Sequence, residues 1–272
     1  MSAQIPLKRL TTRDIAAMRR RGEAIAMLTA YDTTMARLVE MAGVDMILIG
    51  DSLGNVVLGH ETTLPVTLDD MIRHAAAVKR GSDRALLVCD MPFGSVTTPD
   101  SALENAVRVL KETGVEAVKI EGGLAMVPTI EKLVAHGIAV VAHIGLTPQS
   151  VHQMGGYYMH GKDEASADRL REEARALEKA GAFAIVLECV TPVLAAEITR
   201  TLSIPTIGIG SGKDCAGQVL VVNDLIGLSV NPPPSFAKPR ADVAGVIRQA
   251  VGEYVAETKA ERQPIPLPRR AD

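Results

Sequence analysis

Short apolar runs of strand character alternate along the chain with longer stretches whose apolar residues recur at helical spacing. The runs are Ala24 to Ala30, Met46 to Ile49, Leu86 to Cys89, Ala117 to Ile120, Ile138 to Ala142, Ala184 to Leu187 and Ile204 to Gly210, with Gln218 to Val222 as an eighth. Helices are predicted from Thr33 to Gly43, from Thr67 to Lys79, from Thr98 to Gly114, up to His136, from Glu164 to Ala180 and from Pro192 to Leu202. Thr67 with Asp70 three residues later has the form of a capping box, and Thr98-Pro99 supplies an N-cap followed by proline at the first helical position. Thr12 is placed as the cap of a short helix over Arg13 to Arg20, expected to plug or border the barrel bottom. Strand and helix alternate about eight times with glycine-marked connections, which predicts a parallel sheet closed as a (β/α)8 barrel; an open doubly wound sheet is the alternative.

Two stretches stand outside this rhythm. Residues 144–163 have no clear period and contain Gly155-Gly156-Tyr157-Tyr158, as a functional lid or a disordered segment does. Ala241 to Glu257 reads as a closing helix, and a tail over about 258–272, with prolines and paired arginines from Arg262, is expected to be mobile. No composition shift marks a boundary, so residues 1–272 are expected to form one domain.

Composition narrows the class without changing the fold. A chain of 272 residues that is 47% hydrophobic can bury a sizeable core. Its 29 basic against 32 acidic residues, net charge −3, argue against a nucleic-acid footprint. No run approaches the ~18 apolar residues of a membrane span, and Met1 to Arg13 has no signal-peptide core, so a soluble cytoplasmic protein without membrane partners is expected. The cysteines Cys89, Cys189 and Cys215 are widely spaced and read as reduced thiols. Cys89 and Cys189 adjoin acids and could be nucleophiles, but strand alternation favours small hydrophobes turned away from the site.

The chemistry lies at the strand ends. Asp51, Asp90, Glu121 and Glu188 each follow or close an apolar strand, and parallel strands would bring all four carboxylates to one mouth. One such acid is an ordinary cap. Four like charges at close range call for a cation. Oxygen ligands without a His and Cys cluster indicate a hard ion, and Mg2+ fits, because it takes few carboxylates directly and keeps waters and substrate oxygens. Lys119 shares a strand face with Glu121, to pair with a substrate carboxylate or with the acids themselves. His143 closes the fifth strand as a frame or a catalyst. Gly208-Ile209-Gly210-Ser211-Gly212 lacks the spacing of a dinucleotide fingerprint and reads as a tight turn near the mouth.

Six segments together resemble the ketopantoate hydroxymethyltransferase family: Gly50-Asp51-Ser52-Leu53-Gly54, Thr62-Thr63-Leu64-Pro65-Val66-Thr67, Asp90-Met91-Pro92-Phe93, Val118-Lys119-Ile120-Glu121-Gly122-Gly123, the run from His143 to Ser150, and Val186-Leu187-Glu188-Cys189. The resemblance spans about Thr12 to Val222. It implies a barrel similar to those of phosphoenolpyruvate mutase and isocitrate lyase. The implied reaction moves a one-carbon unit from 5,10-methylenetetrahydrofolate to 3-methyl-2-oxobutanoate, giving 2-dehydropantoate for pantothenate synthesis. Carried over by motif position, Asp51, Asp90 and Glu121 would hold Mg2+, and Asp51, Ser52, Asp90 and Lys119 would bind the keto acid. Glu188 would accept the proton, with His143 beside the site and Lys119 helping to hold the enolate. Members are homo-oligomers, commonly decamers. The chain departs from the family pattern at Tyr158, where Arg or Lys is usual, at Ala216, and in the proline-rich Asn231 to Pro239.

Two other readings compete. A Mg-dependent carbon–carbon or phosphorus–carbon lyase on a related barrel would be expected to have a catalytic cysteine motif or a different strand-four sequence. A non-catalytic metabolite-binding barrel would not labilise a substrate proton.

Overall fold

The computed structural model describes residues 8–230 and 232–260. The chain groups into two compact units, Met1–Val222 and Asn223–Asp272. In the first, eight parallel strands close in chain order: β1 Ile25–Thr29, β2 Met46–Ile49, β3 Leu86–Asp90, β4 Ala117–Glu121, β5 Ala139–Gly145, β6 Ala184–Glu188, β7 Thr206–Ile209 and β8 Gly217–Leu220. Since β8 pairs back onto β1, with Gly217 opposite Ile25, the alternation predicts the fold correctly and the open sheet is excluded.

The helices of this unit are α1 Thr12–Arg21, α2 Thr33–Met41, α3 Leu53–Val56, α4 Leu68–Gly81, α5 Pro99–Thr113, α6 Val127–Ala135, α7 Val151–Met154, α8 Glu164–Lys179 and α9 Pro192–Thr201. The box at Thr67–Asp70 and the N-cap at Thr98, ahead of Pro99, form as predicted, and Thr98 also closes a box with Ser101. At α1 the cap is Thr11 and not Thr12. The box needs a side-chain acceptor three residues on, and Asp14 supplies one at that distance from Thr11, whose backbone N–H donates to Asp14 Oδ2 at 2.8 Å. The stretch 144–163 contains a 3-10 turn at Pro148–Ser150 and then α7.

Inside the barrel, alternate positions of each strand point inward and stack into one apolar cluster. It includes Ile25 and Met27 of β1, Met46 and Leu48 of β2, Leu86 and Val88 of β3, Ala117 of β4, Val141 of β5 and Ala184 and Val186 of β6. Ile15 of α1 is fully buried in the same cluster, so α1 plugs the amino-terminal end of the barrel. The opposite residues of the strands, among them Ile47, Leu87, Val118, Ala142 and Ile185, are buried on the outer face of the sheet. This leaves the continuous apolar runs expected of a parallel sheet covered on both sides.

The second unit begins within a short helix, α10 Val222–Ile226. It contains α11 Val243–Ala260, which has no buried residue and exposes Val246, Ile247, Val251 and Tyr254. The closing helix therefore runs three residues past Glu257 and takes in the start of the expected tail; residues 261–272, with Arg262, lie outside the described residues, as do residues 1–7 and Asn231. Among the described residues no helix is long and apolar enough to cross a membrane.

Candidate active site

The inward period of two that builds the apolar cluster continues to the carboxyl ends of the strands, where its residues become ionisable. β3 reads Leu86, Val88, Asp90; β4 reads Ala117, Lys119, Glu121; β5 reads Ala139, Val141, His143; β6 reads Ala184, Val186, Glu188. The register sets Asp90 opposite Lys119, Glu121 opposite His143, and Glu188 opposite Gly145. β5 extends to Gly145, past the boundary read from the sequence, because β4 pairs with it as far as His143 and β6 as far as Gly145. His143 thus lies within the strand.

Asp51 reaches the mouth by a different route. After β2 the chain turns at Gly50, where a Cβ would fall 2.7 Å from Ser52 Oγ and 3.7 Å from Asp90 Oδ2. Without that carbon the turn closes on β3, and the Asp51 backbone N–H donates to Asp90 Oδ2 at 3.0 Å. Ser52 Oγ lies 2.8 Å from the buried Tyr31 hydroxyl. Asp32 also follows a strand, but it accepts the Met35 N–H and caps α2, the ordinary use of such an acid.

Lys119 is the internal counter-ion. Its Nζ lies 3.2 Å from Asp90 Oδ1, 3.6 Å from Glu121 Oε1 and 3.1 Å from His143 Nδ1, with the side chain only 4% exposed. Burial works against its charge, but Asp90, Glu121 and Asp51 outweigh that and hold the ammonium above its ordinary pKa. Burial also raises Glu121, yet Lys119, His143 and the Gln149 N–H (3.0 Å) bring its carboxyl below the usual range. Asp51 and Asp90 end on the other side. Burial, then the neighbouring carboxylates, push Asp51 well above its ordinary value; Asp90 is raised by burial even with Lys119 opposing.

His143 connects the two halves of the mouth, its Nδ1 3.5 Å from Glu121 Oε1 and its Nε2 3.2 Å from Glu188 Oε2. Burial and Lys119 disfavour its protonation, but hydrogen bonding to Glu121 and Glu188 raises its pKa to about 9. All the residues singled out from sequence, Asp51, Ser52, Asp90, Lys119, Glu121, His143 and Glu188, therefore belong to one mouth.

Sequence reasoning missed Gln149 and Tyr31. The Gln149 side-chain amide donates to Asp51 Oδ2 at 2.8 Å and to the Met91 carbonyl at 3.0 Å, which ties the loop after β5 across the mouth. Tyr157, on the same loop, has its phenol raised by burial and then by the charges of Glu188, Asp51 and Glu121. The two cysteines are poor nucleophiles: burial raises Cys89 strongly and Cys189 to about 11, and Cys189 sits just past β6 with a left-handed φ of 49°. The glycine cluster after β7 is a turn, stitched to β6 by Ser211 Oγ, which accepts the Val190 N–H and donates to the Leu187 carbonyl.

A magnesium ion is the cofactor expected from so acidic a mouth. Among the described residues no group of three or more His, Cys, Asp or Glu stands ready as a metal cage; Lys119 and Gln149 between them contact Asp51, Asp90 and Glu121. Two observations nonetheless fit a cation there. Asp90 Oδ1 is buried without a well-directed hydrogen bond, and Asp51 and Asp90 are held above their ordinary range in a donor set made only of oxygen.

The fold is shared with proteins of quite different sequence. Phosphonopyruvate hydrolase, solved in complex with oxalate and Mg++, superposes with a TM-score of 0.62 at 12% identity, covering 92% of this chain and 87% of that one. 2,3-Dimethylmalate lyase, a PEP mutase/isocitrate lyase superfamily member, superposes with a TM-score of 0.59 at 17% identity, covering 96% and 91%. At the level of sequence, the 3-methyl-2-oxobutanoate hydroxymethyltransferase of Magnetococcus marinus is 51% identical over 260 residues, 95% of this chain and 97% of that protein. That of Anaeromyxobacter sp. (strain Fw109-5) is 53% identical over 265 residues, 95% of this chain and 87% of that one. The pattern described as ketopantoate hydroxymethyltransferase matches residues 9–266, and the chain belongs to that family.

Proposed function

We propose that the mouth deprotonates C3 of 3-methyl-2-oxobutanoate and joins the resulting carbanion to the one-carbon unit of 5,10-methylenetetrahydrofolate, forming 2-dehydropantoate. The observation that carries this reading is the arrangement of charge: three buried carboxylates around Lys119, with a fourth, Glu188, across His143 at 3.2 Å from its Nε2. Family membership supplies the substrate. The magnesium finds support in a fold neighbour, phosphonopyruvate hydrolase, solved with oxalate and Mg++.

Asp51, Asp90 and Glu121 would hold the ion. It would supply Lewis-acid polarisation of the 2-oxo group, which makes the C3 proton removable. The chain's own residues do the rest. Ser52, with Asp51 and Asp90, orients the keto acid, and Lys119 offers its buried ammonium to the enolate charge. Glu188 takes the C3 proton; it comes from a strand separate from the ligands and is free of Lys119. The loop fixed by Gln149 limits water at the mouth, and His143 holds Glu188 in place from the side of Glu121. The C3 carbon then bonds to the donor's methylene carbon, whose bonds to the folate nitrogens break, and water provides the hydroxyl oxygen.

A cytoplasmic homo-oligomer, a decamer in the family pattern, belongs to the same reading. The free cysteines and the exposed apolar side chains of α11 support it. Size-exclusion chromatography with light scattering measures the copy number.

The decisive assay incubates the protein with Mg2+, 3-methyl-2-oxobutanoate and 5,10-methylenetetrahydrofolate. Formation of 2-dehydropantoate, with loss of a C3 deuterium from the keto acid, is expected. Cleavage of isocitrate-like or phosphonate substrates instead would favour the lyase alternative.

A further inference from the structure

Next to the mouth lies a cleft of about 760 Å3 that none of the steps above uses. Its inner end is formed by Glu121, Ile144 and Gly145 at the ends of β4 and β5, and its outer wall by Arg169 and Glu173 of α8. The volume falls within the roughly 300–1,000 Å3 of small-molecule sites.

Three features define what would fit. Tyr158 and His160 stack with ring centroids 4.7 Å apart at 25°, and Tyr158 is nearly half exposed, so a flat two-ring platform lies open on one wall. Met126 on the facing loop offers a polarisable thioether to a conjugated ring. Glu173 is buried, pairs with Arg169 Nε at 2.9 Å, and lies directly against Gly123, where a Cβ would sit 2.1 Å from its Oε1. A side chain at residue 123 would displace that carboxylate, which is therefore placed just two residues beyond Glu121. His160 Nε2 is a further buried polar atom without a hydrogen-bond partner.

We propose that this cleft seats the pterin head of the folate donor, its amino-pyrimidine N–H edge on Glu173, its face on the Tyr158–His160 stack, and its reactive side toward Glu121. The proposal rests on the reading of a tetrahydrofolate as the one-carbon donor. A carboxylate is an acceptor for two parallel N–H donors, the pattern the pterin edge presents, and it gives such a ring direction as well as affinity. Stacking on the platform fixes the plane. The ring then spans from Glu173 to the mouth, which brings the methylene carbon held between the two folate nitrogens beside the C3 carbon it must join. Arg169 is a positioning residue that acts through Glu173.

The chain contains no tryptophan, so binding of tetrahydrofolate to the full-length protein can be followed by pterin fluorescence. Glu173→Gln replaces one of the two acceptor oxygens with an amide donor and removes the charge, and should weaken tetrahydrofolate at least tenfold, raising its KM while the KM for the keto acid stays put. Tyr158→Ala, at an exposed ring whose loss leaves the fold intact, should weaken it about threefold to tenfold. Bare tetrahydropterin should compete with tetrahydrofolate, and p-aminobenzoylglutamate should not. Wild-type binding that both variants retain in full, or competition by p-aminobenzoylglutamate alone, would overturn the pterin site and leave the donor assignment standing. Failure of the wild type to bind tetrahydrofolate would remove the donor assignment itself and this site with it.

Discussion

The two ends of one barrel follow the same geometric rule and reach opposite chemistry. At the amino-terminal end the inward positions are Ile25, Met46, Leu86 and Ala117, sealed by Ile15. Two or four residues further along, the same inward positions of β3 to β6 are Asp90, Lys119, Glu121, His143 and Glu188. The difference teaches a division of labour: burial at the bottom stabilises the fold, while burial at the top is spent against the charges, pushing Asp51 and Asp90 upward.

That contrast can be broken most sharply from above. Glu188→Gln should lower C3 deuterium exchange by about 10²–10⁴-fold, the usual contribution of a positioned acid or base, with little change in melting temperature; surviving exchange would make another group the base, with His143 next in line. From below, Ile15→Ala should cost about 2–5 kcal/mol in urea unfolding. Exchange per folded molecule should be unchanged, and a change would mean the plug communicates with the mouth.

A subtler test adds the cation. At 100 times its Kd, Mg2+ should stabilise the fold by about 2.7 kcal/mol, read as a rise in Tm, and Asp51→Asn should remove most of that response. The same variant should melt about 2–4 °C higher than the parent when both are metal-free. The sign follows from the direction of the shift. Asp51 is raised on folding, so its charge is penalised in the folded state; the penalty is absent at low pH and grows as pH rises through the folded value. The advantage of Asp51→Asn should therefore widen with pH.

Smallest of all is the cap of α4. Thr67→Ala should cost about 1 kcal/mol. Asp70 is held below its ordinary pKa, first by its hydrogen bond to Thr67, so the box stabilises above the unfolded value and is lost as pH falls through the folded one. The difference between variant and parent should shrink in acid.

Much of this was legible in the sequence because the rules that set it are local. Period-two alternation placed Lys119 and Glu121 on one face, and the capping box at Thr67 and the N-cap with proline at Thr98-Pro99 marked two helix starts. The acids drew notice because charge at the end of an apolar strand is rare without cause. Gln149 was not legible, since its role depends on a loop folding back across the mouth to meet residues that precede it by 98 positions at Asp51 and 28 at Glu121. Tyr31 was hidden in the same way, because nothing near it in the chain announces Ser52 as its partner. Thr11 and Thr12 are chemically equal as caps, and only the distance to Asp14 separates them.

The pairing of β8 with β1 has a consequence for synthesis. By the time Glu188 leaves the ribosome every ionisable group of the mouth has been made, yet β1 still lacks one neighbour and must wait for Gly217 to Leu220. A nascent or truncated chain ending after β6 would own the complete catalytic inventory and two unpaired sheet margins, which invite aggregation. Its last short strand contributes no reactive side chain and decides whether the others are ever usable.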